Sequence, residues 1–216
     1  MAMTEVHTLP ATTQGRYLVV PSGEGAPLLV GFHGYGQNAE QLLEDLRRVP
    51  GSERWTLVAI QALHRFYSPK TQAVVGSWMT RLDREQAILD NLAYVRRVVA
   101  ELRAAQGGGL LVFAGFSQGA AVAWRAAAHC GPCEGLVVLG GDLPVDVAEV
   151  PGLHLPPILL GRGEGDPFYT ASQLEQDLAT LADLGIEAEA VRFEGGHAWA
   201  PDFLTAAGRF LTEIRS

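Results

Sequence analysis

The segment Leu110 to Gly119 constrains the fold of this chain most strongly, because it joins an apolar run to a helical segment through one serine. The run is short, rich in Leu, Val and Phe and bounded by glycines, which indicates a strand buried on both faces. The Ala-rich segment Ala120 to Ala128 indicates a helix. Glycines two residues before and two residues after Ser117 leave room for a tight turn. Such a turn is predicted to present the Ser117 hydroxyl at the carboxyl end of a sheet and to leave the N–H of Gln118 free.

Strands and helices alternate along the rest of the chain. Further strands are predicted at 16–20, 27–32, 55–60, 136–139, 157–160 and 187–193, and a long helix at 80–105 that Gly107 to Gly109 ends. Residues 64–79 are predicted to form a long loop, rich in aromatic residues. This order implies an α/β fold with a mostly parallel central sheet and helices on both faces. The length of 216 residues suits one domain over 1–216.

Composition narrows the classes of partner. The formal net charge of -8 argues against nucleic acid or an anionic membrane as a partner, because both need clustered Lys and Arg. No stretch approaches the roughly 18 consecutive apolar residues of a membrane span, and no secretory signal is visible. We therefore expect a cytoplasmic protein without stable membrane association. The sequence leaves the oligomeric state open, a homodimer included.

The two cysteines form the string Cys-Gly-Pro-Cys at 130–133, which resembles a dithiol redox motif. Redox pairs gain a low thiol pKa at the start of a helix, whereas Cys130 and Cys133 follow the end of one. We therefore interpret the string as a Gly-Pro helix stop with two small thiols. A lone C-x-x-C is also a weak zinc signal, and no metal site is predicted.

Three residues with complementary chemistry follow predicted strands. A serine hydroxyl needs a base to take its proton, and the base needs a carboxylate to orient it. Ser117, Asp166 and His197 occur in the chain order Ser, acid, His and are predicted to meet at one edge of the sheet. Asp142 also ends a strand and is the alternative acid, although it lies one strand too early. Taken separately, Asp166 could be a turn residue and His197 a surface loop residue.

The loop after the second strand reads His-Gly-Tyr-Gly-Gln-Asn at 33–38. It is predicted to bring the N–H of Tyr35 to the point that the N–H of Gln118 faces, forming an oxyanion hole. His33 is interpreted as an orienting or structural histidine. Aromatic and apolar side chains near the sheet edge are candidates for the wall of an acyl pocket, or they simply pack the loops down. These pocket candidates are Phe66, Trp78, Met79, Phe116 and Phe168.

These motifs resemble the phospholipase/carboxylesterase family of α/β-hydrolases, which includes the acyl-protein thioesterases. The resemblance runs from the His-Gly-Tyr-Gly loop to the carboxyl-terminal helix, and its most specific part is Gly-Phe-Ser-Gln-Gly at 115–119, followed by Gly165-Asp166 and Gly196-His197. Two departures stand out: Ala120 replaces a usual glycine, and Pro-Phe-Tyr at 167–169 replaces a short Val-Pro ending after the acid.

The resemblance implies an α/β-hydrolase fold in a minimal form without a lid domain. It implies hydrolysis of short to medium acyl esters or thioesters by the triad Ser117, Asp166 and His197 through an acyl-enzyme, with the Tyr35 and Gln118 N–H groups as oxyanion hole and no cofactor. A lysophospholipase, a lactone hydrolase or a carbon–carbon bond hydrolase could use the same triad. A ligand-binding protein on an inactive hydrolase scaffold is the non-enzyme alternative, and the intact triad speaks against it.

Overall fold

The computed structural model describes residues 3–106 and 109–215. The predicted helix stop at Gly107 and Gly108 lies outside these residues. A seven-stranded sheet forms the centre of the molecule, with strand order β1-β3-β2-β6-β7-β8-β9. The strands are β1 (Arg16–Val20), β2 (Leu28–Phe32), β3 (Thr56–Gln61), β4 (His64–Tyr67), β5 (Val74–Ser77), β6 (Leu111–Phe116), β7 (Gly135–Leu139), β8 (Ile158–Gly163) and β9 (Ala188–Phe193). The helices are α1 (Ala39–Arg47), α2 (Arg84–Gln106), α3 (Gln118–His129), α4 (Val145–Ala148), α5 (Ala171–Asp183) and α6 (Pro201–Arg215).

The predicted mostly parallel sheet is confirmed. β2, β3, β6, β7, β8 and β9 pair in parallel, while the edge strand β1 pairs antiparallel with β3. The six residues of β6 are all buried, as expected for a strand covered on both faces. Because the strands on which the site depends run the same way, the segments that follow them meet at one edge of the sheet.

Helices cover both faces of the sheet. Alternate residues of β2 belong to two separate apolar clusters, with Leu28 and Val30 on one side and Leu29 on the other. The first cluster packs against α2, α3 and α5, and the second against α1 and α6. The described connections between strands of the sheet are helices, short loops and one small hairpin, so these residues contain no inserted lid domain.

Two helices begin with side-chain caps. The carbonyl oxygen of the Asn38 side chain accepts from the N–H of Gln41 and caps α1. At the start of α5, Thr170 and Gln173 form a capping box.

Residues 64–79 differ from the predicted loop. They contain the antiparallel hairpin β4–β5, in which His64 pairs with Ser77 and Tyr67 with Val74. The hairpin also attaches to the loop after β2, since the N–H of Gly36 donates to the carbonyl of Gly76 and the N–H of Gly76 donates to the carbonyl of Gln37. Each strand has only four residues, too few to show the apolar alternation that marks a strand in sequence. This explains why the segment was predicted to be a loop.

The long helix α2 begins at Arg84, later than the predicted start at Thr80. Leu82 and Leu89 belong to the spacing of three and four residues that predicts an inward face of this helix. Leu82 lies before the helix and is 78% exposed, and Leu89 is also exposed, so neither faces the core. Val95, Val99 and Leu102 are buried as expected. No helix in the described ranges 3–106 and 109–215 combines the length and apolar character that crossing a bilayer requires.

Candidate active site

The turn between β6 and α3 places Ser117 in a strained conformation. Ser117 has φ 54° and ψ -121°, a region that non-glycine residues rarely adopt. The flanking glycines are required by close packing. A Cβ at Gly115 would lie 2.5 Å from the carbonyl oxygen of Gly119, and a Cβ at Gly119 would lie 2.1 Å from that of Phe32. The turn therefore exists because these two positions carry no side chain.

The backbone of Ser117 is tied to the neighbouring strand. Its N–H donates to the carbonyl of Leu139 over 2.9 Å, at the carboxyl end of β7. The Ser117 residue is half-buried, and its hydroxyl makes no hydrogen bond to other described residues. The next residue, Gln118, begins α3, so its N–H is one of the groups that have no partner within the helix.

His197 and Asp166 are directly paired. Nδ1 of His197 lies 2.7 Å from Oδ2 of Asp166, and the Asp166 side chain is 1% exposed. The other carboxylate oxygen, Oδ1, accepts from the N–H groups of Phe168 and Tyr169 over 2.8 and 3.0 Å. Burial raises the pKa of Asp166, but the bonds from His197 and the two N–H groups outweigh it, so the pKa is lowered overall. Asp166 is therefore a carboxylate at neutral pH.

Packing fixes the imidazole of His197 on three sides. The ring centroids of Phe116 and Phe168 lie 4.8 and 5.0 Å from that of His197. Gly140 lies against the same ring, because a Cβ there would come within 2.8 Å of Cε1 and 2.9 Å of Nδ1. Gly140 follows Leu139, whose carbonyl binds Ser117. The three residues predicted from the sequence therefore lie at one edge of the sheet.

The loop after β2 lies next to the serine. A Cβ at Gly34 would lie 3.3 Å from the Cβ of Ser117. His33 is fully buried, and its Nε2 accepts from the N–H of Ala62 over 3.1 Å, so the ring proton is on Nδ1, which donates to the carbonyl of Gly34 over 2.8 Å. Burial lowers the pKa of His33, which keeps the ring neutral.

The His33 bond also orients the next peptide. The peptide between Gly34 and Tyr35 is trans, so the Tyr35 N–H points away from the carbonyl that His33 holds. Among the described residues, the N–H of Tyr35 makes no other hydrogen bond, and neither does that of Gln118. Both N–H groups are therefore without a hydrogen-bond partner among the described residues.

The side chain of Gln118 has a role that the sequence did not reveal. Its Oε1 accepts from the N–H of Trp78 over 2.8 Å, and its Nε2 donates to the carbonyl of Met79 over 2.9 Å. Gln118 thus connects the start of α3 to the segment after β5. The glutamine is part of the motif in the sequence, but its partners become adjacent only in the folded chain.

The predicted pocket residues fall into different environments. Trp78 is fully buried and donates its indole N–H to the carbonyl of His33, so it packs its loop onto the core, the second of the two alternatives for these side chains. Met79 is also buried. Phe66 packs against the ring of Tyr35 at 5.6 Å, while Phe168 is 72% exposed beside His197.

The structure does not favour two alternatives that the sequence offers, an acid at Asp142 and a redox pair at Cys130 and Cys133. Asp142 is exposed and makes no hydrogen bond to His197 among the described residues, whereas Asp166 does.

Cys130 and Cys133 follow the end of α3 as free thiols. Burial raises the pKa of Cys130 to about 11 and that of Cys133 to about 12, the reverse of what a reactive pair needs.

A cavity of about 950 Å³ lies elsewhere in the molecule. It is bordered by Ile158 and Ala188, the first residues of β8 and β9, and by Leu181 and Phe210. Since Ser117 follows the carboxyl end of β6, this cavity is at the opposite edge of the sheet. It is therefore separate from the candidate active site.

Comparison with known proteins agrees with this architecture. The family model for phospholipase/carboxylesterase matches residues 15–214. The crystal structure of esterase PE8 is similar with a TM-score of 0.75 and 28% identity, covering 94% of this chain and 100% of its own. A search of curated proteins found no match.

Two more distant structures support the fold. Acyl-protein thioesterase 2 of Zea mays has a TM-score of 0.76 at 20% identity and covers 94% of this chain and 100% of its own. A carboxylesterase of Bacillus cereus has a TM-score of 0.72 at 16% identity, with coverage of 93% and 94%. The match to the family model extends over nearly the whole described chain. The chain therefore belongs to the phospholipase/carboxylesterase family and is a carboxylic ester hydrolase with the α/β-hydrolase fold.

Proposed function

We propose that Ser117, His197 and Asp166 are a catalytic triad that hydrolyses short to medium acyl esters or thioesters. The observation that carries this proposal is the 2.7 Å pairing of His197 with the buried carboxylate of Asp166. The imidazole packs against Gly140, which follows Leu139, and the carbonyl of Leu139 accepts from the N–H of Ser117. The strained φ of Ser117 supports the same role, because backbone strain is concentrated at functional sites. Similarity to esterase PE8 and to an acyl-protein thioesterase supports the substrate class.

The reaction proceeds in two halves. His197 closes to hydrogen-bond distance of the Ser117 hydroxyl and takes its proton, and the serine oxygen attacks the acyl carbonyl. His197 then protonates the leaving alcohol or thiol, and an acyl-enzyme forms. Water, deprotonated by His197, attacks the acyl-enzyme and releases the acid. Asp166 stabilises the imidazolium in both halves and is not itself protonated.

The oxyanion hole in this proposal consists of the N–H groups of Tyr35 and Gln118. Both are free of hydrogen bonds in the described chain. Gln118 follows Ser117 directly, and Gly34, the residue before Tyr35, packs against the Cβ of Ser117. Such donors act on the charge that develops in the tetrahedral intermediate, and one donor is worth roughly 10² to 10³ in kcat. His33 sets the direction of the Tyr35 N–H through the carbonyl of Gly34.

Substitution of the serine and the histidine tests the triad. We expect Ser117→Ala and His197→Ala each to lower kcat for p-nitrophenyl butyrate by about 10⁶-fold, because triad residues act as a unit. Ser172→Ala and His154→Ala are matched controls at exposed positions and should retain full activity. Near-normal turnover by Ser117→Ala would refute the proposal.

A substrate panel tests the class of substrate. We expect p-nitrophenyl esters and acyl thioesters of four to eight carbons to be hydrolysed faster than lactones or lysophospholipids. A preference for lactones in kcat/KM would replace the esterase assignment with a lactone hydrolase on the same triad. A cytoplasmic location and a single domain stay predictions from the sequence, which leaves the oligomeric state open.

A further inference from the structure

A buried carboxylate that the mechanism does not use lies behind the catalytic acid. Asp177 of α5 is 7% exposed. Its Oδ2 accepts from the hydroxyl of Tyr169 over 2.7 Å and from the N–H of Leu143 over 3.1 Å. One oxygen atom therefore connects the loop after β8 to the loop after β7.

Both of these loops contact the candidate triad. The N–H of Tyr169 donates to Oδ1 of Asp166, the oxygen that does not face His197. Leu143 belongs to the loop that begins with Gly140, the residue packed against the imidazole. A shift of Asp177 would therefore be transmitted to the acid and to the surface on which His197 rests.

Tyr169 is held at every polar atom that it has. Its carbonyl accepts from Nε of Arg162 over 2.8 Å, and Arg162 is itself buried. Its N–H is bound by Asp166 and its hydroxyl by Asp177. Burial raises the pKa of Tyr169, as does its bond to Asp177, so the hydroxyl keeps its proton and acts as donor. Tyr169 is 2% exposed and is held at these three points, so the loop that carries Asp166 has little freedom to move.

We propose that Asp177 is a positioning residue of this hydrolase, holding the Asp166 and His197 pair in register by joining the two loops through Tyr169 and Leu143. The inference rests on the proposed function for its kinetic consequence. Asp177 touches neither His197 nor Ser117 within the described contacts, so it acts only through other residues.

Two substitutions of Asp177 separate position from charge. Asp177→Ala removes the acceptor, and we expect kcat for p-nitrophenyl butyrate to fall about 10- to 100-fold with KM changed less than about twofold, since small misplacements of catalytic groups are costly. Asp177→Asn keeps an oxygen that can accept both bonds, and we expect activity within about threefold of wild type. Asp183→Ala, at an exposed position of α5, is the matched control and should have no effect.

Proton NMR gives a readout that does not depend on substrate. The proton shared between Nδ1 of His197 and Asp166 should give a strongly downfield resonance in the wild type, Asp177→Asn and Asp183→Ala. We expect Asp177→Ala to move this resonance upfield and broaden it. Since Ser117→Ala leaves the pair intact, the resonance tests the positioning role even if the esterase proposal fails.

The Tyr169→Phe variant tests the path of the effect. It removes one of the two donors and keeps the backbone bond to Asp166, so we expect a smaller loss of kcat than in Asp177→Ala. The double variant should be no worse than Asp177→Ala alone, because the hydroxyl then has no partner. The proposal would be overturned if Asp177→Ala lowered only the melting temperature and had the kcat and the resonance of Asp183→Ala. It would also be overturned if the kcat losses of Asp177→Ala and Tyr169→Phe multiplied in the double variant. Should Asp177→Ala fail to fold, a Tyr169→Phe variant with unchanged kcat and resonance would overturn it equally.

Discussion

Gly140 shows how one missing side chain can decide the geometry of a site. It has φ 64° and lies where any Cβ would contact the imidazole of His197 and approach Oδ2 of Asp166 at 3.3 Å. The sequence places Gly140 at the end of a strand but gives no sign of this contact. The residue types and order of Ser117, Asp166 and His197 predict that they meet at one edge of the sheet, where the structure places them. The role of Gly140 could not be predicted, because it depends on a contact with His197, which is distant in sequence.

An alanine at Gly140 should separate strain from catalysis. We expect Gly140→Ala to lower kcat for p-nitrophenyl butyrate by about 10²-fold, because the new methyl group displaces His197. Gly152→Ala is the matched control, since Gly152 has nearly the same φ, 66°, and no atom within 4 Å of the added Cβ. Both variants should lose about 1 to 2 kcal/mol of unfolding free energy from left-handed strain, measured in urea. Equal activity of the two variants would contradict this role of Gly140.

The helix that follows the nucleophile is anchored by an ion pair. Arg125 of α3 is 3% exposed, and its guanidinium binds both carboxylate oxygens of Asp146 in α4 over 2.7 and 2.6 Å. The bond from Arg125 lowers the pKa of Asp146. A carboxylate whose folded pKa is below its unfolded value, near 3.9, contributes stability above that pH and loses it as pH falls through the folded pKa.

Replacing this carboxylate should have a pH-dependent cost. We expect Asp146→Asn to lower the unfolding free energy by about 1 to 2 kcal/mol at pH 7, a modest amount because the Asp146 side chain is half exposed. The difference from wild type should begin to shrink as the pH falls below about 4, because the unfolded chain then binds a proton that the folded Asp146 binds only at its lowered pKa. Urea titrations at pH 7, 5 and 3.5 measure it, with Asp183→Asn as control. A difference independent of pH would be inconsistent with the ion pair as its source.

Regular elements were predictable where packing imposes a clear period. β6 and the buried strands around it have continuous apolar runs, and the cap of α1 has a recognisable asparagine. The hairpin β4–β5 was missed because it pairs with the loop after β2, at Gly36 and Gln37, and this contact is not visible in its own composition. The start of α2 was missed because Leu82 continues the spacing without being buried.

The molecule as a whole joins three segments that are far apart in sequence. The turn at Ser117, the loop at Asp166 and the loop at His197 each follow a parallel strand of one sheet, so the topology alone brings them to a common edge. The mostly parallel sheet and the helices on both of its faces followed from the alternation of elements. The place of Trp78 in the core did not, because its bond to the carbonyl of His33 and its contact with the His33 ring join segments that are distant in sequence.

Covalent labelling with a fluorophosphonate probe tests the central claim most directly, because the probe reacts only with an activated serine. We expect the wild type to form one adduct, mapped by mass spectrometry to Ser117, and Ser117→Ala and His197→Ala to form none within the same time. An adduct at another serine, or no adduct on the folded wild type, would contradict the account of the site.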